Sequence, residues 1–416
     1  MKSWLEISSK SDFSIHNLPF GIFRHKKSIP HAGVAIGDYV IDLSVLFDQG
    51  SLKKEGIKKN VFEADALNDF ISLGKDTGRK VRNRLIDLFG SDNSELRDNI
   101  DLKEKTLHKL KDVTMLLPVK PGNYTDFYSS LEHATNVGSM FRDPENPLLP
   151  NWKWLPVGYH GRASSIVVSG TPIQRPKGQI KLSENEPPVY APTMALDFEL
   201  EMAFITTNGK PLGQTILIEE AEEYIWGMVL FNDWSARDIQ KWEYQPLGPF
   251  LGKSFASSVS PWVVFMDALE PFRVDGPGQN PPPLPYLRSA GMNNYDINLE
   301  VYLQPKGGKA VKICDTNFKY MYWNICQQLA HQSSNGCNIM AGDIYASGTI
   351  SGPTSDSYGS MLELTWNGTM PFILPDGLER KFIDDGDTVI IKGYAGKNGI
   401  KISFGEVETT VLPAIL

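Results

Sequence analysis

The sequence predicts a mostly β protein with some helix, built in two units. Three observations carry this. Short apolar or alternating runs recur at 198–205, 227–232, 261–266, 296–303, 343–349, 360–366, 387–393 and 400–411, the pattern of many short strands. Glycine and proline, 36 and 28 of 416 residues, punctuate those runs as turns. Helical spacing is confined to a few stretches. Many short strands with turn signals imply a mostly antiparallel β domain, a sandwich or roll.

The first unit covers residues 1–117. Within it, Val34 to Leu43 reads as a hairpin turning at Gly37-Asp38. Residues 60–115 show helical spacing, with Val81, Leu85, Leu88 and Phe89 on one face. Lys103 to Lys111 reads as a solvated helix face. Pro118-Val-Lys-Pro-Gly122 is a turn-rich break and the expected linker into the second unit, 118–416. Helices are expected there near 124–140, 217–225 and 316–333, and long loops at Lys177 to Pro188 and Pro281 to Pro285.

Composition narrows the function. A net charge of -8 without a basic cluster argues against a nucleic-acid partner. No run of about 18 apolar residues predicts a membrane span, and the start of the chain lacks a signal-peptide apolar core. Cys314, Cys326 and Cys337, with no CxxC, suit a reducing cytosol and no zinc site.

The run Leu196 to Phe204 alternates acid and apolar residues, so Asp197, Glu199 and Glu201 share one strand face and Phe198, Leu200 and Met202 the other. Same-face neighbours lie about 7 Å apart, where carboxylates repel unless water or a cation screens them. On local grounds a solvated acidic face explains the pattern as well as a cation site does.

Gly252-Lys253-Ser254 lacks the glycine that a phosphate loop needs at position 247, which is Leu. No Gly-x-Ser-x-Gly elbow or His-Glu-x-x-His helix occurs. Asp126 and His133 stand seven apart. On one regular helix they would face one pocket but lie about 10 Å apart along the axis, too far to hold one atom jointly. Asp233 falls at the C-terminal end of an apolar strand, where it is a ligand group or a helix N-cap. Glu363 alternates with apolar neighbours and would project from a strand; alone it would be an ordinary exposed acid.

Longer runs are more specific. These are Tyr124-Thr-Asp-Phe-Tyr-Ser-Ser, His133-Ala-Thr-Asn-Val-Gly, Leu155-Pro-Val-Gly-Tyr-His-Gly-Arg, Asn232-Asp-Trp-Ser-Ala-Arg-Asp-Ile-Gln-Lys-Trp-Glu-Tyr and Pro246-Leu-Gly-Pro-Phe-Leu-Gly-Lys-Ser-Phe. Together they resemble the fumarylacetoacetate hydrolase family. Ser11-Asp-Phe-Ser-Ile-His-Asn-Leu-Pro-Phe-Gly extends the resemblance to nearly the whole length.

The resemblance implies a small SH3-like N-terminal barrel, a C-terminal mixed β-sandwich roll and a homodimer. It also implies hydrolysis of 4-fumarylacetoacetate to fumarate and acetoacetate, the last step of tyrosine breakdown. By matching motif, Asp126, Glu199, Glu201 and Asp233 would hold Ca²⁺ or Mg²⁺, and Asp197 is left without a place at the metal. His133 would be the base and Glu363 its carboxylate partner. Tyr128, Arg142, Tyr159, Gln240, Tyr244 and Thr349 would contact substrate. Lys253 would sit near the reacting carbonyl, with Gln240 also catalytic. Lys253 and Ser257 would lie near a secondary Mg²⁺ site. Ser257 departs from the family's usual threonine but keeps a hydroxyl.

Such a set needs no Ser or Cys nucleophile, because His133 oriented by Glu363 can activate water. Two other readings remain at this level. One is a related hydrolase of another β-diketone or acylpyruvate. The other is an inactive dimeric binding protein on the same fold.

Overall fold

The computed structural model describes residues 2–8, 11–183, 185–375 and 377–415. The hairpin forms as its turn chemistry predicts: strands His31–Ile36 and Tyr39–Asp42 pair antiparallel across Gly37, whose φ of 58° suits glycine. They belong to a curled five-stranded antiparallel sheet ordered Leu107–Lys109, Tyr39–Asp42, His31–Ile36, Phe20–His25, Val113–Leu116. The helix Lys75–Phe89 buries Val81, Leu85, Leu88 and Phe89, the face that the spacing predicts. The helix Ile100–Thr106 ends before Lys109, so only part of the 103–111 run is helical.

A larger mixed sheet forms the centre of the molecule. Its order is Gly158–His160, Tyr124–Phe127, Ile344–Ala346, Leu200–Thr206, Ile225–Asp233, Ser257–Val259, Ile166–Val168, with Val264–Phe265 also paired to Ile225–Asp233. A second five-stranded sheet packs on one face, contributing Leu299, Val301, Ile391, Ile402 and Phe404 to a core shared with Leu200, Met202, Phe204 and Leu230. On the opposite face Ala203, Ile205, Val229 and Phe231 join Phe20, Ile22, Leu85 and Phe70 of the N-terminal region. The central sheet is therefore buried on both sides.

This double burial overturns the solvated reading of the acidic strand. Asp197 and Glu201 are 0% exposed and Glu199 5%. The run is also not one strand: Leu196–Asp197 pairs with Ser235–Ala236, and the chain re-enters the central sheet at Leu200. Phe198, Leu200 and Met202 still share the core they were expected to share.

Other local expectations change for reasons of pairing and capping. Tyr124–Phe127 is a strand, because Tyr124 to Asp126 pair in parallel with Ile344 to Ala346; the helix begins only at Leu131. The expected helix at 217–225 is a single 3₁₀ turn, Ala221–Tyr224. In 316–333 the regular helix is Ile325–Ser333, fixed by a capping box between Asn324 and Gln327. Residues 360–366 hold a short helix, Met361–Leu364, rather than a strand. Asp233 is not an N-cap, since the following helix starts at Arg237.

Candidate active site

Strand register gathers the acids. Asp126 lies opposite Tyr159 on one side and Ala346 on the other. Ala346 lies opposite Ala203, two residues from Glu201. Glu201 lies opposite Phe231, two residues from Asp233, and Asp233 lies opposite Ser257. Directly opposed residues and i, i+2 residues share a face. Asp126, Glu201, Asp233, Tyr159 and Ser257 thus come from five strands to one face. Glu199 reaches the same point from the break before Leu200. One carboxylate oxygen from each of Asp126, Glu199, Glu201 and Asp233 lies within 4.8 Å of the others.

Each acid has its own support. Tyr159 OH and Ser257 Oγ donate to Asp233 at 2.8 and 2.7 Å, and Lys253 Nζ donates to Asp233 Oδ2 at 2.8 Å. Lys253 also donates to Glu199, whose other oxygen accepts from Arg237 Nη1 at 2.7 Å. The backbone N–H of Gly348 donates to Glu201 Oε2 at 3.1 Å. Asp126 Oδ1 and Glu201 Oε1 are buried without a hydrogen-bond partner.

The electrostatics set Glu199 apart from Asp126 and Glu201. Burial, then the proximity of Asp233, pushes the Asp126 carboxyl well above the carboxylate range. Burial, then Asp126 and Glu199, does the same to Glu201. Burial also works against ionised Glu199, but Lys253 and Arg237 outweigh it and hold that carboxyl far below its usual value. Lys253 is raised, since Asp233 and Glu199 overcome its burial.

With Asp197, five buried carboxylates therefore meet two cations, buried Lys253 and the largely covered Arg237. Convergent oxygen ligands, unspent negative charge and two orphaned oxygens fit a hard divalent cation. The buried acidic cluster could hold such an ion.

A second constellation adjoins it. The helix Leu131–Phe141 is N-capped by Ser130, whose Oγ accepts from the backbone N–H of His133, and it carries His133 in its first turn. His133 Nδ1 lies 2.7 Å from Glu363 Oε2. Glu363 further accepts from Asn136 Nδ2 at 2.9 Å, Ser360 Oγ at 2.8 Å and Ser351 Oγ at 2.9 Å. Burial raises the Glu363 carboxyl, but His133 and these donors overcome it, and the net shift is downward. Ionised Glu363 can only accept, so Nδ1 of His133 donates, which in the neutral imidazole leaves the lone pair on Nε2. The Tyr128 ring meets the imidazole edge to face, with centroids 5.2 Å apart.

The remaining expected residues are spread more widely. Thr349 is buried and its hydroxyl has no partner. Gln240 Oε1 lies 3.5 Å from Arg237 Nη1. Tyr244 is exposed and accepts from Gln245 Nε2 at 3.1 Å. Arg142 is exposed at the end of its helix, with Nε on the carbonyl of Pro147 at 2.9 Å.

Sequence reasoning missed Arg237, Asn136, Ser351 and Ser360. Arg237 stood within a quoted motif and could have been singled out as a cation four residues after Asp233. The two serines carry no local signal, because their role depends on where Glu363 arrives. Arg237, not Arg142, is the guanidinium in contact with the acids.

Comparison with known proteins places the chain in a family. A fumarylacetoacetate hydrolase C-terminal family model matches residues 123–412, and a fumarylacetoacetase N-terminal model matches 16–118. The chain is 54% identical to the fumarylacetoacetase of Homo sapiens, covering 100% of this chain and 99% of the relative. It is 53% identical to that of Dictyostelium discoideum, covering 100% and 98%. A solved fumarylacetoacetate hydrolase from Exiguobacterium antarcticum, 19% identical, shares the fold with a TM-score of 0.52 over 95% of this chain and 99% of that one. By full-length identity and by both family models, the chain belongs to the fumarylacetoacetase family.

Proposed function

We propose that this protein hydrolyses 4-fumarylacetoacetate to fumarate and acetoacetate, with the two clusters as its catalytic machinery. The observation that carries the substrate is the 54% identity to a curated fumarylacetoacetase along the whole of both chains. The 2.7 Å bond between His133 and Glu363 supports the reaction class, a water-activating dyad beside a cation site.

In this reading His133 Nε2 takes a proton from water, and the hydroxide adds to the carbonyl on the fumaryl side. The carbon–carbon bond then breaks and its electron pair passes to the acetoacetate fragment. His133, now protonated, returns the proton to that carbon. Glu363 holds the imidazole tautomer and stabilises its charged form. Lys253, anchored on Glu199 and Asp233, places positive charge beside the reacting carbonyl. Gln240, whose Oε1 lies 3.5 Å from Arg237 Nη1, assists catalysis and contacts the substrate. Tyr128, Tyr159, Tyr244 and Thr349 position the substrate, and Arg142 receives its terminal carboxylate as a bidentate partner. Asp126, Glu199, Glu201 and Asp233 would hold Ca²⁺ or Mg²⁺, an ion that when bound would polarise the diketone oxygens. Lys253 and Ser257 would lie near a secondary Mg²⁺ site.

The protein acts in the cytosol as a homodimer, in tyrosine breakdown. Among the described residues no helix is long and apolar enough to cross a membrane. The test is the loss of fumarylacetoacetate absorbance with purified protein, before and after chelation and again on adding back Mg²⁺ or Ca²⁺. Turnover that ignores the chelator removes the metal; no turnover in any condition removes the substrate.

A further inference from the structure

We propose that Asp197 is a positioning residue coupling the four-carboxylate cluster to the His133–Glu363 dyad, so that cation binding and the orientation of the base depend on each other. This rests on the catalytic reading above and deepens it. Asp197 is fully buried, and every partner the structure gives it is a donor. Its Oδ1 accepts from the backbone N–H of Met361 at 2.7 Å, and Oδ2 from that of Leu362 at 3.0 Å. Oδ2 also accepts from Arg237 Nε at 2.9 Å and faces Nη2 at 2.9 Å.

The two ends of this contact belong to different functions. Met361 and Leu362 open the four-residue helix that carries Glu363. Arg237 uses its remaining terminal nitrogen on Glu199 Oε1 at 2.7 Å. A continuous path of charge-assisted bonds therefore runs from Glu199 through Arg237 and Asp197 to the turn bearing Glu363, and from there to His133. Capping alone does not account for it. Ser360 already serves as the side-chain cap of that helix, while Asp197 also neutralises a guanidinium. Without the Asp197 charge, Arg237 would bear wholly on Glu199 and compete with a cation for its oxygens. The two N–H groups would lose their anion, and the Glu363 turn would loosen.

The test uses the full chain with Asp197→Asn. Titration calorimetry with Mg²⁺ alone should show Kd raised about tenfold, and kcat at saturating Mg²⁺ should fall about tenfold or more. In double-mutant cycles the Kd effect should vanish on an Arg237→Gln background and the kcat effect on a Glu363→Gln background. A variant that only melts earlier, with Kd and metal-saturated kcat within twofold of the parent, overturns the proposal. So do effects that multiply independently in the cycles.

If Asp197→Asn fails to fold, amide exchange in the unaltered protein decides. Mg²⁺ should slow exchange at Met361 and Leu362 severalfold more than in the distant helix Lys75–Phe89; equal slowing or none overturns the coupling. The Kd and exchange measurements do not depend on the substrate. A protein inactive on fumarylacetoacetate would sink the functional reading while leaving the coupling decided.

Discussion

His133 and Glu363, 230 positions apart in the chain, meet through a 2.7 Å bond between Nδ1 and Oε2, with both side chains buried. Every other contact of the Glu363 carboxylate given above is a donor from its own turn, the Ser351 loop or the His133 helix. The glutamate is therefore held by donors besides the imidazole, and the imidazole takes its tautomer from it.

Glu363→Gln keeps the shape but removes the carboxylate charge and replaces one accepting oxygen by an N–H donor that can face Nδ1. It should lower kcat by about 10²–10⁴-fold. His133→Ala should lose at least as much. Neither residue is a ligand, so neither change should weaken Mg²⁺ binding by calorimetry more than the roughly tenfold expected of Asp197→Asn. Near-normal turnover in His133→Ala would show that another group is the base.

Glu201 has one oxygen on Gly348 N–H and one without a partner, and its carboxyl faces Asp126 and Glu199. Glu201→Gln removes like-charge repulsion and a ligand together. The metal-free variant should melt above the metal-free parent, and its gain in Tm on adding Mg²⁺ should shrink. A bound ligand at about 100 times its Kd contributes roughly 2.7 kcal/mol, so the parent's shift is readily measured by calorimetric melting. An undiminished shift in Glu201→Gln would exclude it as a ligand.

Gly348 has φ of 78°, and a Cβ added there would stand 2.3 Å from the carbonyl oxygen of Phe127. Its N–H also supports Glu201. Gly348→Ala should cost about 1–3 kcal/mol in denaturant unfolding and weaken Mg²⁺ binding as well. Unchanged stability would mean that the backbone at this position is free to move.

His31 donates from Nδ1 to Asp42 at 2.7 Å in the N-terminal sheet, and that bond raises its pKa above the ordinary 6.5. A raised histidine stabilises fully below the unfolded value and loses that contribution as pH rises through the folded one. Asp42 is lowered by His108 and His31 against its burial, so its contribution is lost only in acid, as pH falls through its folded value. The Tm deficit of His31→Gln should therefore be larger at pH 5.5 than at pH 8.5. A deficit independent of pH would show that the ring acts by packing alone.

Local periodicity was a good guide where partners are local. The Gly37 hairpin and the apolar face of Lys75–Phe89 follow from neighbours within a few residues. It failed where partners are distant. Met361–Leu364 is helical because Ser360 and Asp197, the latter 164 residues from Met361, satisfy its first N–H groups, and no strand among the described residues pairs with it. Tyr124–Phe127 is a strand because Ile344–Ala346 lies beside it.

The sequence by itself determined the family, the mostly β class and the residue types at the site, since motif runs and strand alternation are properties of neighbouring positions. Only the tertiary structure decided what each acid of Asp197, Glu199 and Glu201 does. Glu201 turns into the cluster from a strand, Glu199 is shared between Lys253 and Arg237, and Asp197 supports the Glu363 turn. Alternation says which side chains share a face. Burial, charge and partners depend on what surrounds that face, and here it is the carboxylates of two other strands of the sheet and a guanidinium, not water.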